Sequence, residues 1–255
     1  MISDADLMQE LRTEAIDAAE DRLANMNEVL VQFRDGMVKS EDTLATIRLD
    51  THSLKAVAAS FDMTALKAMC HRFEDYLFNI KAVDGRIQGD MQVFVDRMSE
   101  CLDAFVKRET MDISSLVRQL PMKGGFEVGD ITVTDIEVML VMQPGTATKI
   151  VTRELIECGY RIVNVASTLD AFHLVPSMRP DMVIISRVMP ELSGIDLACA
   201  LKAMPTTRDI PVALIATVDR KDEHLKDLPK TVPILRKGSK FADSVADVFV
   251  ELGIL

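Results

Sequence analysis

The chain has 255 residues, enough for two domains at about 150 residues each. Its 29 Lys and Arg against 40 Asp and Glu leave a net charge of −11, which argues against a nucleic-acid or anionic-membrane binder, since either needs a basic footprint. A hydrophobic content of 48% excludes general disorder, and with no Trp and 16 Met the core must be filled by aliphatic and Met side chains, which suits helices.

From Asp4 to Leu120 apolar residues recur at spacings of three and four, the signature of amphipathic helices. Leu7, Leu11, Ala15, Ala19, Leu23, Met26 and Leu30 make the first stripe. Ser40-Glu41-Asp42 reads as a helix start, followed by Leu44, Ile47, Thr51, Leu54, Ala58 and Phe61. Met63–Ile80 and Met91–Val106 read as two more helices, with a short last one over Ser114–Leu120. The expectation is an all-α up-and-down bundle over residues 1–120. Residues 1–130 hold 15 basic and 24 acidic side chains, so most of the negative charge belongs to this half.

Pro121, Gly124, Gly125 and Gly129 mark residues 121–133 as a linker. Beyond it, short β-rich runs alternate with helical ones. Strands are expected at Val138–Val141, Arg161–Val165, Met182–Ile185, Val212–Ile215 and Val232–Leu235. Helices are expected at Ala147–Cys158, Leu169–Pro176, Ile195–Met204, Asp222–Asp227 (weak) and Ser239–Leu252. Such alternation over residues 134–255 implies an α/β domain with a doubly wound five-stranded parallel sheet.

Cys70, Cys101, Cys158 and Cys199 form no CxxC pair and read as reduced, small apolar residues of a cytoplasmic protein. The acidic start, Met1 to Asp6, does not read as a signal peptide. No uncharged run reaches the roughly 18 residues of a membrane span.

The candidate chemistry lies in the helical half. His52, Lys55, Ala56 and Ala59 share one helix face at i, i+3, i+4 and i+7, offset by one position from the apolar stripe. His52 is therefore expected at the edge of the buried stripe, open to solvent, among small residues that let a second protein approach. Lys55 stands one turn on, where an ammonium can neutralise a phosphoryl group. The next helix carries His71 and Glu74 at i, i+3. With an antiparallel turn near residue 63, positions 52 and 74 both lie roughly 16 Å from it along adjacent helices. Glu74 can then accept the imidazole Nδ1–H of His52 and leave Nε2 as the nucleophile.

This pattern resembles the histidine phosphotransfer (HPt) domain, in particular the type that begins chemotaxis-class histidine kinases. The motif there is His-x-x-Lys-Gly-x-x-x-x-Phe. Residues His52 to Phe61 match it with Ala56 in place of Gly, and His71-Arg72-Phe73-Glu74 matches the supporting His-x-x-Glu of the following helix. The resemblance implies that His52 accepts and donates a phosphoryl group, supported by Lys55, His71 and Glu74.

Residues 134–255 resemble a response-regulator receiver domain, through Arg179-Pro180-Asp181, Met189-Pro190, Gly194, Ile210-Pro211 and Lys237 in order. The family's chemical positions are changed. Ser186 stands where the phosphorylated Asp is expected, Met142 and Gln143 replace the acidic pair that holds Mg²⁺, and Ala216 replaces the hydroxyl residue after the fourth strand. Only Lys237 is kept, followed by Gly238 where Pro is usual. A hard divalent cation needs carboxylate oxygens, which Met142, Gln143 and Ser186 do not offer. The expectation is a phosphorylation-dead pseudo-receiver used for docking or dimerisation, with Phe241, Val245, Val248 and Phe249 as surplus apolar residues for a self- or partner contact.

The leading function is thus a phosphorelay intermediate, a phosphocarrier rather than an enzyme, with no Gly-rich ATP-binding loop. Its expected partners are receiver domains or a histidine kinase acting in trans, with Mg²⁺ on the partner and no cofactor of its own. A second reading is a binding protein that sequesters a response regulator or kinase without phosphotransfer. His173 and His224 are read as surface or packing residues.

Overall fold

A computed structural model of the chain describes residues 4–78, 80–122, 134–218, 222–236 and 241–254. The chain divides into two compact units, Met1–Lys123 and Gly124–Leu255.

The first unit is helical: α1 (Asp4–Arg34), α2 (Ser40–Ser60), α3 (Thr64–Leu77), α4 (Gly85–Lys107) and a short α5 (Ile113–Arg118). Its core is built from the expected stripes, with Leu23, Met26 and Leu30 of α1 facing Ile47 and Leu54 of α2, Met69 and Phe73 of α3, and Met91 and Phe94 of α4, all buried. Phe73 and Phe94 stack at 4.7 Å between centroids. Between α1 and α2, buried Asp50 accepts from Asn25 Nδ2 at 2.6 Å and Arg22 Nη1 at 3.2 Å, so its charge is compensated. Cys70 and Cys101 are buried free thiols, and burial raises both, Cys101 to about 12.

Local signals decide the turns. Met63 N–H bonds back to Ala58 O at 2.9 Å while Asp62 adopts φ 55°, a Schellman-type stop that turns α2 straight into α3. Ser40 does not cap α2 through its side chain. Lys39 is the N-cap residue, and the Ser40 hydroxyl instead accepts the Val83 N–H at 2.6 Å, tying the start of α2 to the entry of α4.

The first stripe is not buried along its whole length. Leu7 and Leu11 are 48% and 39% exposed, and burial begins at Ala15. Arg12 already sits over the Phe105 ring at 4.6 Å, and α4 ends at Lys107. The first two turns of α1 therefore run past the end of the antiparallel helix that would cover them.

The second unit holds β1 (Glu137–Val141), β2 (Arg161–Val165), β3 (Met182–Ser186), β4 (Val212–Ala216) and β5 (Ile234–Arg236), all parallel, in the order β2-β1-β3-β4-β5. The helices are α6 (Thr146–Glu157), α7 (Thr168–Met178), α8 (Gly194–Ala203) and α9 (Phe241–Glu251). β1, β3 and β4 are buried throughout, whereas the edge strand β2 alternates, as expected for a sheet covered on both faces. This order is the doubly wound arrangement whose functional crevice lies at the carboxyl ends of the strands.

Two expectations need correction. The weak helix over Asp222–Asp227 is a 3-10 turn at Glu223–Leu225, capped by the Asp222 side chain. Only Leu225 and Leu228 are buried there, too few apolar anchors to hold longer helix. The four apolar residues of α9 are not surplus. Phe241, Val245, Val248 and Phe249 are all buried in the sheet's own core, where Phe249 stacks on Tyr160 at 4.5 Å. Their spacing of i, i+4, i+7 and i+8 is a single stripe, the width one buried helix face needs. They give no support to dimerisation through the C-terminal domain. Most of the expected linker, from residue 123 on, and Lys237 lie outside the described residues.

Gly194 opens α8 directly on the end of β3. A Cβ there would lie 2.1 Å from the Ser186 carbonyl oxygen, and the Ser193–Asp196 capping box sets the helix in that place. The two nearest neighbours are backbone atoms of Ser186, which cannot yield as the end of a flexible side chain would. Gly194→Ala should therefore destabilise the second unit by about 1–3 kcal/mol, the usual range for overpacking, or more. Urea titration of the full chain, read by hydrogen-exchange protection of the β1 and β3 peptides, measures this; an unchanged midpoint would contradict the close approach.

Candidate functional site

The α2–α3 turn sets an antiparallel register in which residues eleven positions either side of Met63 stand opposite each other. Thr51, Leu54 and Ala58 take the buried face of α2, so His52 is turned to its rim, with 74% of its side chain exposed. On α3, Phe73 and Leu77 are buried, and Glu74 comes out at the seam, with a quarter of its side chain exposed.

Glu74 Oε1 lies 3.0 Å from His52 Nδ1. With the carboxylate accepting, Nδ1 carries the proton and Nε2 keeps its lone pair on an exposed ring. Lys55 Nζ donates to Glu74 Oε2. The sequence placed Lys55 where it would meet an incoming phosphoryl group. In the folded protein it holds the other oxygen of the carboxylate that holds His52, so both Glu74 oxygens are directed. His71 stands one turn before Glu74 on α3 and is half-buried.

Ala56, Ala59 and Ser60 are exposed beyond His52, which leaves the ring open to a large partner. Two features escaped sequence reading. Leu49 and Phe78, 66% and 57% exposed, put apolar surface on the other side of the histidine. Arg48 donates from Nη2 to Leu77 O at 2.9 Å and Ile80 O at 2.7 Å. The i, i+4 spacing of Arg48 and His52 was present in the sequence, but partners that are backbone carbonyls leave no residue-type signal.

In the second unit the strand ends are filled differently. Met142 and Ala216 are buried. Gln143 is exposed, its side-chain amide donates to Ala166 O, and its own carbonyl accepts from the Thr148 hydroxyl. Ser186 is buried and its hydroxyl donates to Val188 O at 3.3 Å. No group of three or more His, Cys, Asp or Glu placed to hold a metal occurs among the described residues. A thioether, an amide, a methyl and an internally bonded hydroxyl do not fit Mg²⁺, which is bound through carboxylates and water.

Residues 10–108 match the family model of the Hpt domain, and the first unit is an Hpt domain. The chain is 31% identical over 100 residues to the two-component response regulator-like protein APRR7 of Arabidopsis thaliana, covering 38% of this chain and 14% of that protein. It is 32% identical over 72 residues to the polar-differentiation response regulator DivK of Brucella anthropi, covering 28% of this chain and 58% of that protein. The chain thus spans less than two thirds of these curated relatives. Among solved structures, a signal receiver domain of a histidine kinase from Syntrophus aciditrophicus is similar at 25% identity and a TM-score of 0.42, over 47% of this chain and 91% of its own. The second unit has the receiver, or flavodoxin-like, fold that its strand order defines.

The His52–Glu74 contact makes a spectroscopic prediction. At a pH where the ring is neutral, long-range ¹H–¹⁵N spectra should show His52 mainly as the Nδ1–H tautomer. Glu74→Ala should move it toward Nε2–H. An unchanged tautomer would mean that Glu74 does not orient the ring.

Proposed function

We propose that the chain acts in a two-component phosphorelay, a reading supported by the Hpt domain of the first unit and the receiver fold of the second. No helix among the described residues is long and apolar enough to cross a membrane.

We propose that His52 is the phosphoryl carrier. Its Nε2 lone pair attacks the phosphorus of an aspartyl phosphate on a partner receiver. The P–N bond forms as the acyl P–O bond breaks, and the partner's carboxylate leaves. The reverse reaction passes the group to the next receiver, and a histidine kinase acting in trans is the other source. Mg²⁺ would be held by the partner receiver, where it would neutralise the charge developing on the transferred oxygens. Glu74 keeps the proton on Nδ1 through both directions, Lys55 keeps Glu74 in place, and His71, one turn before Glu74 on α3, supports the acceptor. The single observation that carries this reading is the exposed imidazole whose Nδ1 is engaged by a buttressed carboxylate.

The experiment is a phosphotransfer profile of the purified chain against kinases and phosphorylated receivers, following acid-labile label. His52→Gln should remove all label while leaving helical circular dichroism unchanged. Full labelling of that variant overturns the assignment, and tight partner binding with no label on the parent chain would instead make this a sequestering protein.

We further propose that the second unit is a receiver without phosphorylation chemistry, kept as a docking module. Met142, Gln143, Ser186 and Ala216 support this, since they supply neither an acceptor carboxylate nor metal ligands. Beryllofluoride with Mg²⁺ should leave the amide resonances of residues 134–255 in place. Mg²⁺-dependent shifts at the ends of β1 and β3 would overturn this half of the reading.

A further inference from the structure

Helix α3 ends in a tightened turn of i→i+3 bonds, with no left-handed cap residue. No basic residue stands in its last turn, its C-cap Phe78 is right-handed, and the Phe78 N–H reaches only Asp75 O at 3.3 Å. The last carbonyls of a helix have no partner within it and carry the negative end of its dipole. Leu77 O accepts the Ile80 N–H at 3.2 Å, and a side chain from the neighbouring helix adds to it: Arg48 donates to Leu77 O and, just beyond the helix, to Ile80 O, and brings a positive charge to that end.

Arg48, His52 and Lys55 stand at i, i+4 and i+7, one stripe of α2. Across the seam they meet the Leu77 and Ile80 carbonyls, Glu74 Oε1 and Glu74 Oε2 in turn. The near end of α3 is fixed covalently by the turn at Phe61–Met63. The far end is held to α2 by Arg48, one turn beyond Glu74. Sliding α3 by a single residue would displace Glu74 by about 1.5 Å, enough to break a 3.0 Å bond to Nδ1.

We propose that Arg48 is a positioning residue for phosphotransfer: by pinning the end of α3 it sets Glu74 opposite His52 and so fixes the tautomer that leaves Nε2 free. The inference rests on the reading of His52 as acceptor. Both bonds come from one terminal nitrogen, so the task is to place one doubly donating cation, not to offer a planar fork. A Lys, whose ammonium has several donors, should do most of it.

The test uses the full chain with Arg48→Met, Arg48→Lys, Glu74→Ala and the double variant Arg48→Met/Glu74→Ala. Two quantities are read, the His52 tautomer by ¹⁵N spectra and the rate of transfer from a phosphorylated receiver. Misplacement of about 1 Å can cost up to about 10²-fold in rate; for Arg48→Met we expect roughly three- to tenfold slowing and a shift of the tautomer toward that of Glu74→Ala. Arg48→Lys should restore most of both. The double variant should be no slower than Glu74→Ala alone, because Arg48 acts through Glu74. A lowered melting temperature with an unmoved tautomer, or additive slowing in the double variant, would overturn the proposal. If Arg48→Met fails to fold, Arg48→Gln carries the same comparison. A tautomer that responds to Arg48 in a chain that takes no label on His52 would sink the acceptor reading and leave the positioning role standing.

Discussion

The antiparallel register of α2 and α3 is the constraint on which the site depends. Two residues twenty-two positions apart in the chain meet because Asp62 accepts a left-handed conformation and the chain reverses within three residues. Most L-residues resist that conformation, and a short polar side chain is among those that tolerate it. Once the reversal is made, the buried faces of both helices leave one choice of seam. His52 and Glu74 lie at that seam, where a carboxylate is shielded enough to matter and a ring is open enough to react. A wholly buried histidine would be out of a partner's reach; a wholly exposed carboxylate would be screened and mobile.

The second unit separates fold from chemistry. At the end of β3 the packing is close, with Gly194 lying against the Ser186 carbonyl. That packing is backbone against backbone and makes no demand on which side chains project from the strand ends. Side chains at Met142, Gln143 and Ala216 can therefore be apolar or neutral without cost to the sheet, and Ser186 satisfies its hydroxyl on a nearby carbonyl. The sheet's stability comes from wholly buried strands and from one apolar stripe each on the covering helices, a separate set of residues from those that would hold a metal.

Much of the site was legible beforehand because it is written in helical spacing. His52 with Lys55, and His71 with Glu74, fall on single faces by a local rule, and the position of the turn converts two local faces into one cross-helix pair. What spacing does not report is how a charged group is spent. Lys55 has a choice between solvent, a phosphoryl group and Glu74, and the carboxylate takes it. Arg48 finds carbonyls, which every residue has, so nothing in the sequence singled it out.

The order of elements, the helical and α/β division, the positions of His52 and Glu74 on facing helices and the missing carboxylates of the second unit were determined by the sequence alone. They depend on residue type and on periods of 3.6 and 2 along one stretch of chain. Only the tertiary structure decided that Leu7 and Leu11 stay uncovered, that the apolar stripe of α9 is absorbed by its own sheet, and that Arg48 closes the end of α3. Each of these is set by where a second element begins or ends in space, and a pattern along one element does not encode the length of its neighbour.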